Sequence, residues 1–299
     1  MRTRSSTSAY EILKRRLFDV SAGIDLTQGV RKSDTRSPEQ RKFERIETLV
    51  REGHTGKAAA ELTRVESRAL SQDTVDKLKK LHPLGPDVLP LLPPDSPILA
   101  QVDADILRSI IRKMANGAAP GVSGWTADLL LPLVDDEECL NGLACLCGDI
   151  INGHFSGSDR HRLIGSVLVA IPKSAGGIRP IAMGECFYKA ACIYMLRLLR
   201  KEMRDCLGST QFALASGGSE VAVQTMQALM SLHPKWSLMT VDVQNAFNSR
   251  KRDEILKILY ASPQLSKIFR LVDWAYGKPS CLWIKDSGVI IDSFYPHKA

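Results

Sequence analysis

The chain has 299 residues, 44% hydrophobic and 24% charged, which is typical of a globular protein with one large or two modest domains. Its 40 Lys and Arg residues outnumber 33 Asp and Glu residues, and the net charge of +7 is compatible with a polyanionic partner without requiring one. No apolar run reaches the roughly 20 residues of a membrane span, and the seven cysteines form no CxxC pair, so we expect an intracellular protein of the nucleus or cytoplasm that is neither secreted nor membrane-bound.

The N-terminal third is predicted to be helical after a polar start. Residues 1–36 are basic and polar, and we expect them to be poorly ordered. Ser37 and Gln40 form a capping box around Pro38, which predicts that a helix begins there. Two further short helices follow, and then six prolines in fifteen residues interrupt all regular structure. Residues 37–100 are therefore predicted to be a helical segment with a proline-rich linker.

The remainder alternates helices and strands, which predicts an α+β (mixed α/β) fold. Leu163 to Ile171 is an apolar run with several β-branched residues, and residues 178–182 return as a second strand. The two runs predict a hairpin with a basic, glycine-rich tip. Further elements are expected as helices at 187–198, 218–232 and 250–260 and as a strand at 236–243.

Cys139, Cys145, Cys147 and His154 lie close together in the sequence and raise the question of a zinc site. Their spacing matches no common set of zinc ligands, and leucines interleave with the cysteines. The favoured interpretation is a buried helix in which the thiols act as small apolar side chains.

Asp242 is the first candidate for chemistry, because it closes the apolar run that begins at Trp236. A strand would deliver this carboxylate to its C-terminal end, where α/β folds place their ligands. Mg²⁺ takes carboxylate and carbonyl oxygen, so Asp242 and the Val243 carbonyl could supply both kinds of ligand. Two-metal phosphoryl transfer needs at least one more acid nearby. The alternative interpretation of Asp242 is a helix cap.

Lys173 and Arg179 are the second candidate, since they flank the predicted hairpin turn. Arginine binds phosphate oxygens in a bidentate manner and lysine acts as a point charge, so the pair suits a triphosphate. The segment is not a P-loop, because Pro172 stands where that motif needs glycine. The alternative is a solvated hairpin tip.

A third motif, G-A-A-P-G-V-S-G-W-T, runs from Gly117 to Thr126 and enters a helix. Its plain interpretation is a connection between helices with Trp125 as a core anchor. In chain order it is followed by V-L-V-A-I-P-K-S-A-G-G-I-R-P-I-A, by Q-F-A-L-A-S-G-G-S-E and by M-T-V-D-V-Q-N-A-F-N.

These four motifs in this order resemble the reverse transcriptases of non-LTR, LINE-like retrotransposons. The likeness spans about residues 40–290, and the helical stretch 42–83 is similar to the segment that precedes the polymerase in some of those elements. The resemblance implies a fingers subdomain at 101–235 and the start of a palm at 236–299. It also implies RNA-directed DNA polymerase (nucleotidyltransferase) chemistry with an RNA template, a DNA primer and a dNTP.

The resemblance assigns metal and sugar recognition to the segment around Asp242. Asp242 would coordinate both catalytic Mg²⁺ (or Mn²⁺) ions, with the Val243 carbonyl as a further ligand. Phe247 would be the steric gate that excludes a ribose 2′-OH, the group by which proteins distinguish ribonucleotides from deoxyribonucleotides.

Further positions that match the family are implied to bind the triphosphate or to lie near the template. The triphosphate would be held by the side chains of Lys173 and Arg179 and by the backbone N–H groups of Asn245 and Ala246. Gln211 and Gly218 would lie near the template.

The sequence also departs from the family pattern. The family continues with a Gly-Gln-Gly-type loop and a hairpin that carries two adjacent aspartates, whereas here the only such pair, Asp135-Asp136, lies in the fingers region. Residues 278–293 look like the strand pair upstream of that loop. We therefore expect a fragment of a longer polyprotein that is inactive alone, holds metal poorly and exposes apolar surface in an open palm.

Two other functions remain open from the residues alone. The chain could be a catalytically dead remnant that binds RNA through its basic fingers, or an interaction module in which the motifs serve only packing. Binding to RNA would weaken steeply as salt is raised.

Overall fold

The computed structural model describes residues 37–295 except 52, 54, 63–69, 83–87, 115–117, 174–176, 244, 247, 249 and 287–288. The expectation for residues 1–36 lies outside these described residues. Within them the fold is mixed α+β, as the sequence predicts. Its helices are α1 Pro38–Arg51, α2 Thr55–Leu62, α3 Gln72–Lys80, α4 Ala104–Lys113, α5 Ala127–Val134, α6 Glu137–Asn152, α7 Gly157–Ile164, α8 Cys186–Leu198, α9 Arg200–Leu207, α10 Gly218–Leu232, α11 Arg252–Tyr260 and α12 Phe269–Tyr276. Two 3₁₀ turns lie at Phe212–Leu214 and Pro263–Ile268, and the strands are β1 Ser166–Pro172, β2 Ile178–Gly184, β3 Leu282–Asp286 and β4 Val289–Phe294.

The capping box at the start of α1 is confirmed. The Ser37 backbone N–H donates to Oε1 of Gln40 at 2.8 Å, and the Gln40 backbone N–H donates to Oγ of Ser37 at 3.1 Å. These bonds satisfy two donors that the first helical turn otherwise leaves without a partner.

The four strands form one mixed sheet in the order β2-β1-β3-β4. The pairs β1–β2 and β3–β4 are antiparallel, which confirms the predicted hairpin and the expected strand pair within residues 278–293. Strands β1 and β3 are parallel, with Val167 opposite Trp283. The first strand begins at Ser166 rather than at Leu163, because the apolar residues Leu163 and Ile164 are buried as the end of helix α7.

Two groups of buried side chains hold the fold together. The larger one lies among α4, α5, α6, α8 and α12, and the smaller one lies between α3 and the sheet. In the smaller group, Val75 and Leu78 of α3 share a core with Leu168 of β1 and Ile284 of β3. The fully buried larger side chains of the main core are Leu107, Ile111, Leu130, Leu140, Leu146, Ile150, Ile151, Met195 and Leu199.

Arg160 is a buried cation that joins α7 to the chain entering β3. Its Nε donates to the Trp274 carbonyl at 2.7 Å, and the rest of the guanidinium donates to three more backbone carbonyls. Those three acceptors are the carbonyls of Ala275 at 3.3 Å, Lys278 at 2.7 Å and Pro279 at 3.0 Å. Burial lowers the pKa of this guanidinium, although arginine stays protonated at neutral pH. The carbonyls at the end of α12 thereby find donors that the helix cannot provide.

Helix α6 confirms the predicted helix at the cysteine cluster. Cys147 is buried, and burial raises the pKa of its thiol. Cys145 is exposed, however, so the expectation that all these thiols are buried is wrong. Cys145 lies two positions from Cys147, and such residues do not share a helix face.

The predicted strand at 236–243 is wrong. These residues form no regular secondary structure, and all of them are exposed. A strand needs a neighbour to bond its N–H and C=O groups, and among the described residues the sheet ends at β2 and β4 without pairing to this segment. The predicted helices at 187–198 and 218–232 are confirmed, and the one at 250–260 begins at Arg252. None of the helices in the described part of the chain is long and apolar enough to cross a membrane.

Replacing Arg160 by alanine should lower the free energy of unfolding by about 3 kcal/mol or more, because three backbone carbonyls lose this donor and the Lys278 carbonyl keeps only the one from Arg252. Urea denaturation of the 299-residue chain measures this change. The matched control is Arg112→Ala, since Arg112 is an exposed arginine paired with Asp135 at 2.6 Å and should contribute less than about 1 kcal/mol. Equal losses for the two variants would contradict the role of Arg160.

Candidate functional site

The hairpin brings its two cations to one face. Arg179 lies directly opposite Ile171, and the Lys173 backbone N–H donates to the Gly177 carbonyl at 3.1 Å. Opposite residues of an antiparallel pair project to the same side, and so do residues two apart on one strand. Lys173, Ile171 and Arg179 therefore share a face, and all three side chains are exposed.

The other face of the hairpin is anchored. Leu168 is completely buried there, with Ala170 and Ile178 packed beside it against α3. Because Leu168 and Ile171 differ by an odd number of positions, they project to opposite sides of β1. The sheet thus holds the Lys173 and Arg179 side chains outward on a packed support.

The loop of residues 118–126 is fastened to the base of this hairpin by Glu185, the residue after β2. The Ser123 backbone N–H donates to Oε1 of Glu185 at 2.8 Å, and the Ser123 hydroxyl donates to Oε2 at 2.5 Å. A Cβ atom at Gly121 would lie 2.6 Å from Oε1, so only glycine allows this approach. Trp125 packs edge-on against Phe187 with ring centroids 5.6 Å apart, in agreement with its interpretation as a core anchor.

Glu185 is a buried carboxyl group that the sequence did not reveal. Burial raises its pKa, while the hydrogen bonds from Ser123 act in the opposite direction. A buried carboxylate without a cation is costly, which is why both oxygens accept hydrogen bonds. Beside it, a pocket of about 360 Å³ opens between the loop and β2. Its lining is mainly apolar and consists of Met114, Ala118, Ala119, Trp125, Thr126, Ala127, Ala182, Met183, Gly184, Cys186 and Lys189.

Asp242 and Val243 lie on the exposed segment, and the turn that follows is tied to α3. Asn245 has a left-handed backbone with φ of 53°, which asparagine tolerates better than most residues. Its Nδ2 donates to the Leu81 carbonyl at 3.0 Å, just beyond α3. Ala246 is half-buried in the same turn. The predicted steric gate, Phe247, lies outside the described residues.

Gln211 and Gly218, the predicted template neighbours, have local structural roles. Oε1 of Gln211 accepts the Ala213 backbone N–H at 3.0 Å and so caps the 3₁₀ turn. A Cβ atom at Gly218 would lie 2.0 Å from the Phe212 carbonyl oxygen, so any larger residue would force the turn and α10 apart. These contacts account for the residue types without a template, and template contact stays a prediction.

The candidate residues form two groups. One group is Lys173 and Arg179 on the hairpin, and the other is Asp242 with the turn at Asn245 and Ala246 that follows it. Within the described part of the chain, no hydrogen bond or ion pair links Asp242 to Lys173 or Arg179. Nor do the described residues gather three or more His, Cys, Asp or Glu side chains at one point. Asp242 and the Val243 carbonyl could supply some of the oxygen ligands of one divalent ion. By themselves they are too few ligands for two divalent ions.

Comparison with known proteins shows a similarity to a retrotransposon protein. No protein-family model matches the chain. The chain is 31% identical over 191 residues to the retrotransposable element SLACS 132 kDa protein of Trypanosoma brucei gambiense. The aligned region covers 64% of this chain and 16% of that protein, so the chain spans less than a fifth of its relative's length. This similarity supports a retrotransposon-related role.

The stability of the Glu185→Gln variant relative to the wild type should increase as the pH rises from about 4 towards neutrality. Because the pKa of Glu185 is higher in the folded protein than in the unfolded chain, the folded state binds more protons at pH values between these two pKa values. The wild-type protein therefore loses stability as the pH rises through that interval. Glutamine keeps the shape and an acceptor oxygen but has no such titration. Urea denaturation of both proteins across this pH range measures the difference, and a difference independent of pH would contradict the prediction.

Proposed function

We propose that this chain is the nucleotide-binding part of a retrotransposon-encoded RNA-directed DNA polymerase. The observation that carries the proposal is the shared, outward face of Lys173 and Arg179 on a hairpin whose other side is buried. The similarity to a retrotransposable element protein supports it. The two cations would hold the triphosphate of an incoming dNTP, opposite an RNA template and at the end of a DNA primer.

Asp242 would contribute to catalysis in the longer protein and not in this chain alone. Its exposure leaves the carboxylate accessible, and the bond from Asn245 to the end of α3 holds the turn beside it. In this proposal the backbone N–H groups of Asn245 and Ala246 face the triphosphate. The further carboxylates of a Mg²⁺ or Mn²⁺ site would come from outside the described residues.

Nucleic-acid binding without catalysis is the second candidate function. It is favoured by the single carboxylate of the Asp242 segment, because one such group cannot position two metal ions. In this case the basic hairpin would serve an RNA backbone instead of a triphosphate.

Triphosphate binding provides a direct test on the chain itself. We expect the double variant Lys173→Ala/Arg179→Ala to weaken binding of a fluorescent dNTP by about tenfold or more, since each charge-assisted hydrogen bond contributes about 1.5–3 kcal/mol. Fluorescence anisotropy measures the affinity. Lys189→Ala is the control, because Lys189 is an exposed lysine that lines the neighbouring pocket and should leave binding unchanged. Equal binding by the double variant and the wild type would refute a triphosphate site at the hairpin.

Primer extension by a longer protein of this element tests the role of Asp242. Asp242→Asn should lower the rate of dNTP addition on an RNA template by at least about a hundredfold, as expected when an electrostatic group at a reacting phosphate is lost. The exposed Asp95→Asn is the matched control and should extend primers normally. If the Asp242 variant extends primers as fast as the wild type, the assignment is wrong.

A further inference from the structure

Residues 88–94 lie in the proline-rich linker and have the sequence V-L-P-L-L-P-P. Every third residue is exposed, namely Val88 at 82%, Leu91 at 90% and Pro94, whereas the residues between them are half-buried. A period of three is that of a polyproline II helix, since side chains repeat every two residues in a strand and about every 3.6 in an α-helix. At a rise of about 3.1 Å per residue, the three exposed side chains form an apolar row about 19 Å long.

The sequence of the segment favours this conformation. The rings of Pro90, Pro93 and Pro94 fix φ near about −65°, and Leu89 and Leu92 precede prolines, which disfavours the helical region for them. Residues 88–93 have no regular secondary structure, and within the described part of the chain the backbone groups of residues 88–92 form no hydrogen bond. A polyproline II helix has no internal hydrogen bonds, so both observations agree with it.

The C-terminal end of the apolar row is held by the packed part of the molecule. Ser96 is buried, and its backbone N–H and its hydroxyl both donate to the Pro93 carbonyl, at 3.1 and 2.6 Å. The Ser96 carbonyl in turn accepts from Nε of Arg270 on α12 at 3.0 Å. Three residues further on, Leu99 exchanges two hydrogen bonds with Asn152 of α6. A partner would therefore meet a segment whose conformation is already largely fixed, which lowers the entropy lost on binding.

The chemistry of the apolar row narrows the kind of partner. Its three side chains carry no charge, so they offer nothing to a polyanion or to an anionic membrane. Three of the seven residues are prolines without an N–H group, so the segment is poorly suited to pair with a sheet edge as a strand. It offers instead an apolar edge beside backbone carbonyls that can accept hydrogen bonds. Tyr and Trp side chains match both features, because their rings pack against apolar groups and their O–H or N–H groups donate.

We propose that residues 88–94 dock into the aromatic-lined groove of a partner protein, in a domain of the kind that binds polyproline II segments, such as an SH3, WW or EVH1 domain. Val88, Leu91 and Pro94 enter the groove, and Pro90 and Pro93 keep the backbone in the bound conformation. The apolar row includes no residue of the hairpin cations or of the Asp242 segment. Docking and triphosphate binding can therefore succeed or fail separately.

Titration with isolated domains tests the proposal. One SH3, one WW and one EVH1 domain are titrated into the 299-residue chain by isothermal calorimetry, each beside a variant in which a groove tryptophan is changed to alanine. At least one intact domain should bind with a Kd below about 1 mM, and its groove variant should not. Leu91→Ser should weaken this binding by about tenfold or more, because the leucine side chain passes from water into the groove. Pro90→Ala should weaken it by about two- to fivefold, because alanine gives the unbound segment more conformations to lose.

The matched control is Ile98→Ser, because Ile98 is 60% exposed in the same irregular segment but lies outside the apolar row. It should leave the Kd unchanged, and thermal unfolding should show an intact fold for both serine variants, since both side chains are exposed. Absence of binding to all three domains, or equal weakening by Leu91→Ser and Ile98→Ser, would overturn the proposal. Binding by this chain but not by a longer protein of this element would also overturn it, since the apolar row would then be covered by its own polypeptide.

Discussion

The placement of β3 depends on one buried cation. Arg160 donates to four backbone carbonyls where α12 ends and the chain turns into β3. That turn sets β3 parallel to β1, across more than one hundred residues of intervening chain. Arg252 supports the same turn through the Lys278 carbonyl at 3.0 Å. Without these donors, a cluster of buried carbonyls would lack partners, and the sheet that carries the hairpin would lose its central pair.

Other polar side chains also fix the positions of neighbouring segments through hydrogen bonds or ion pairs. Glu185 holds the 118–126 loop, and Asn152 exchanges two hydrogen bonds with the backbone of Leu99, which secures the proline-rich segment to α6. Lys79 on α3 pairs with Asp292 on β4 at 2.6 Å, on the outer edge of the sheet. These irregular segments are held by side chains that lie on regular elements or directly beside them, since their own backbone groups cannot pair with one another.

The two groups of candidate residues differ in how well they are packed. The hairpin cations stand on a packed sheet, whereas Asp242 lies on an exposed segment with large apolar neighbours, among them Met239 at 82% and Val241 at 74% exposure. An apolar surface of this kind is typical of a region that another polypeptide covers. The chain spans a small part of the relative's length. In the proposed function, the remaining metal ligands come from outside the described residues.

Local signals in the sequence determined the capping box at Ser37, the hairpin turn between Lys173 and Arg179, and most helices, because each depends on residues a few positions apart. The order of motifs determined which residues to consider for chemistry. Only the tertiary structure decided that 236–243 is not a strand, because an apolar run becomes a strand only where a neighbouring strand accepts its hydrogen bonds. The roles of Arg160 and Glu185 were likewise decided there, since their partners lie 62 to 119 residues away along the chain and no spacing rule reaches that far.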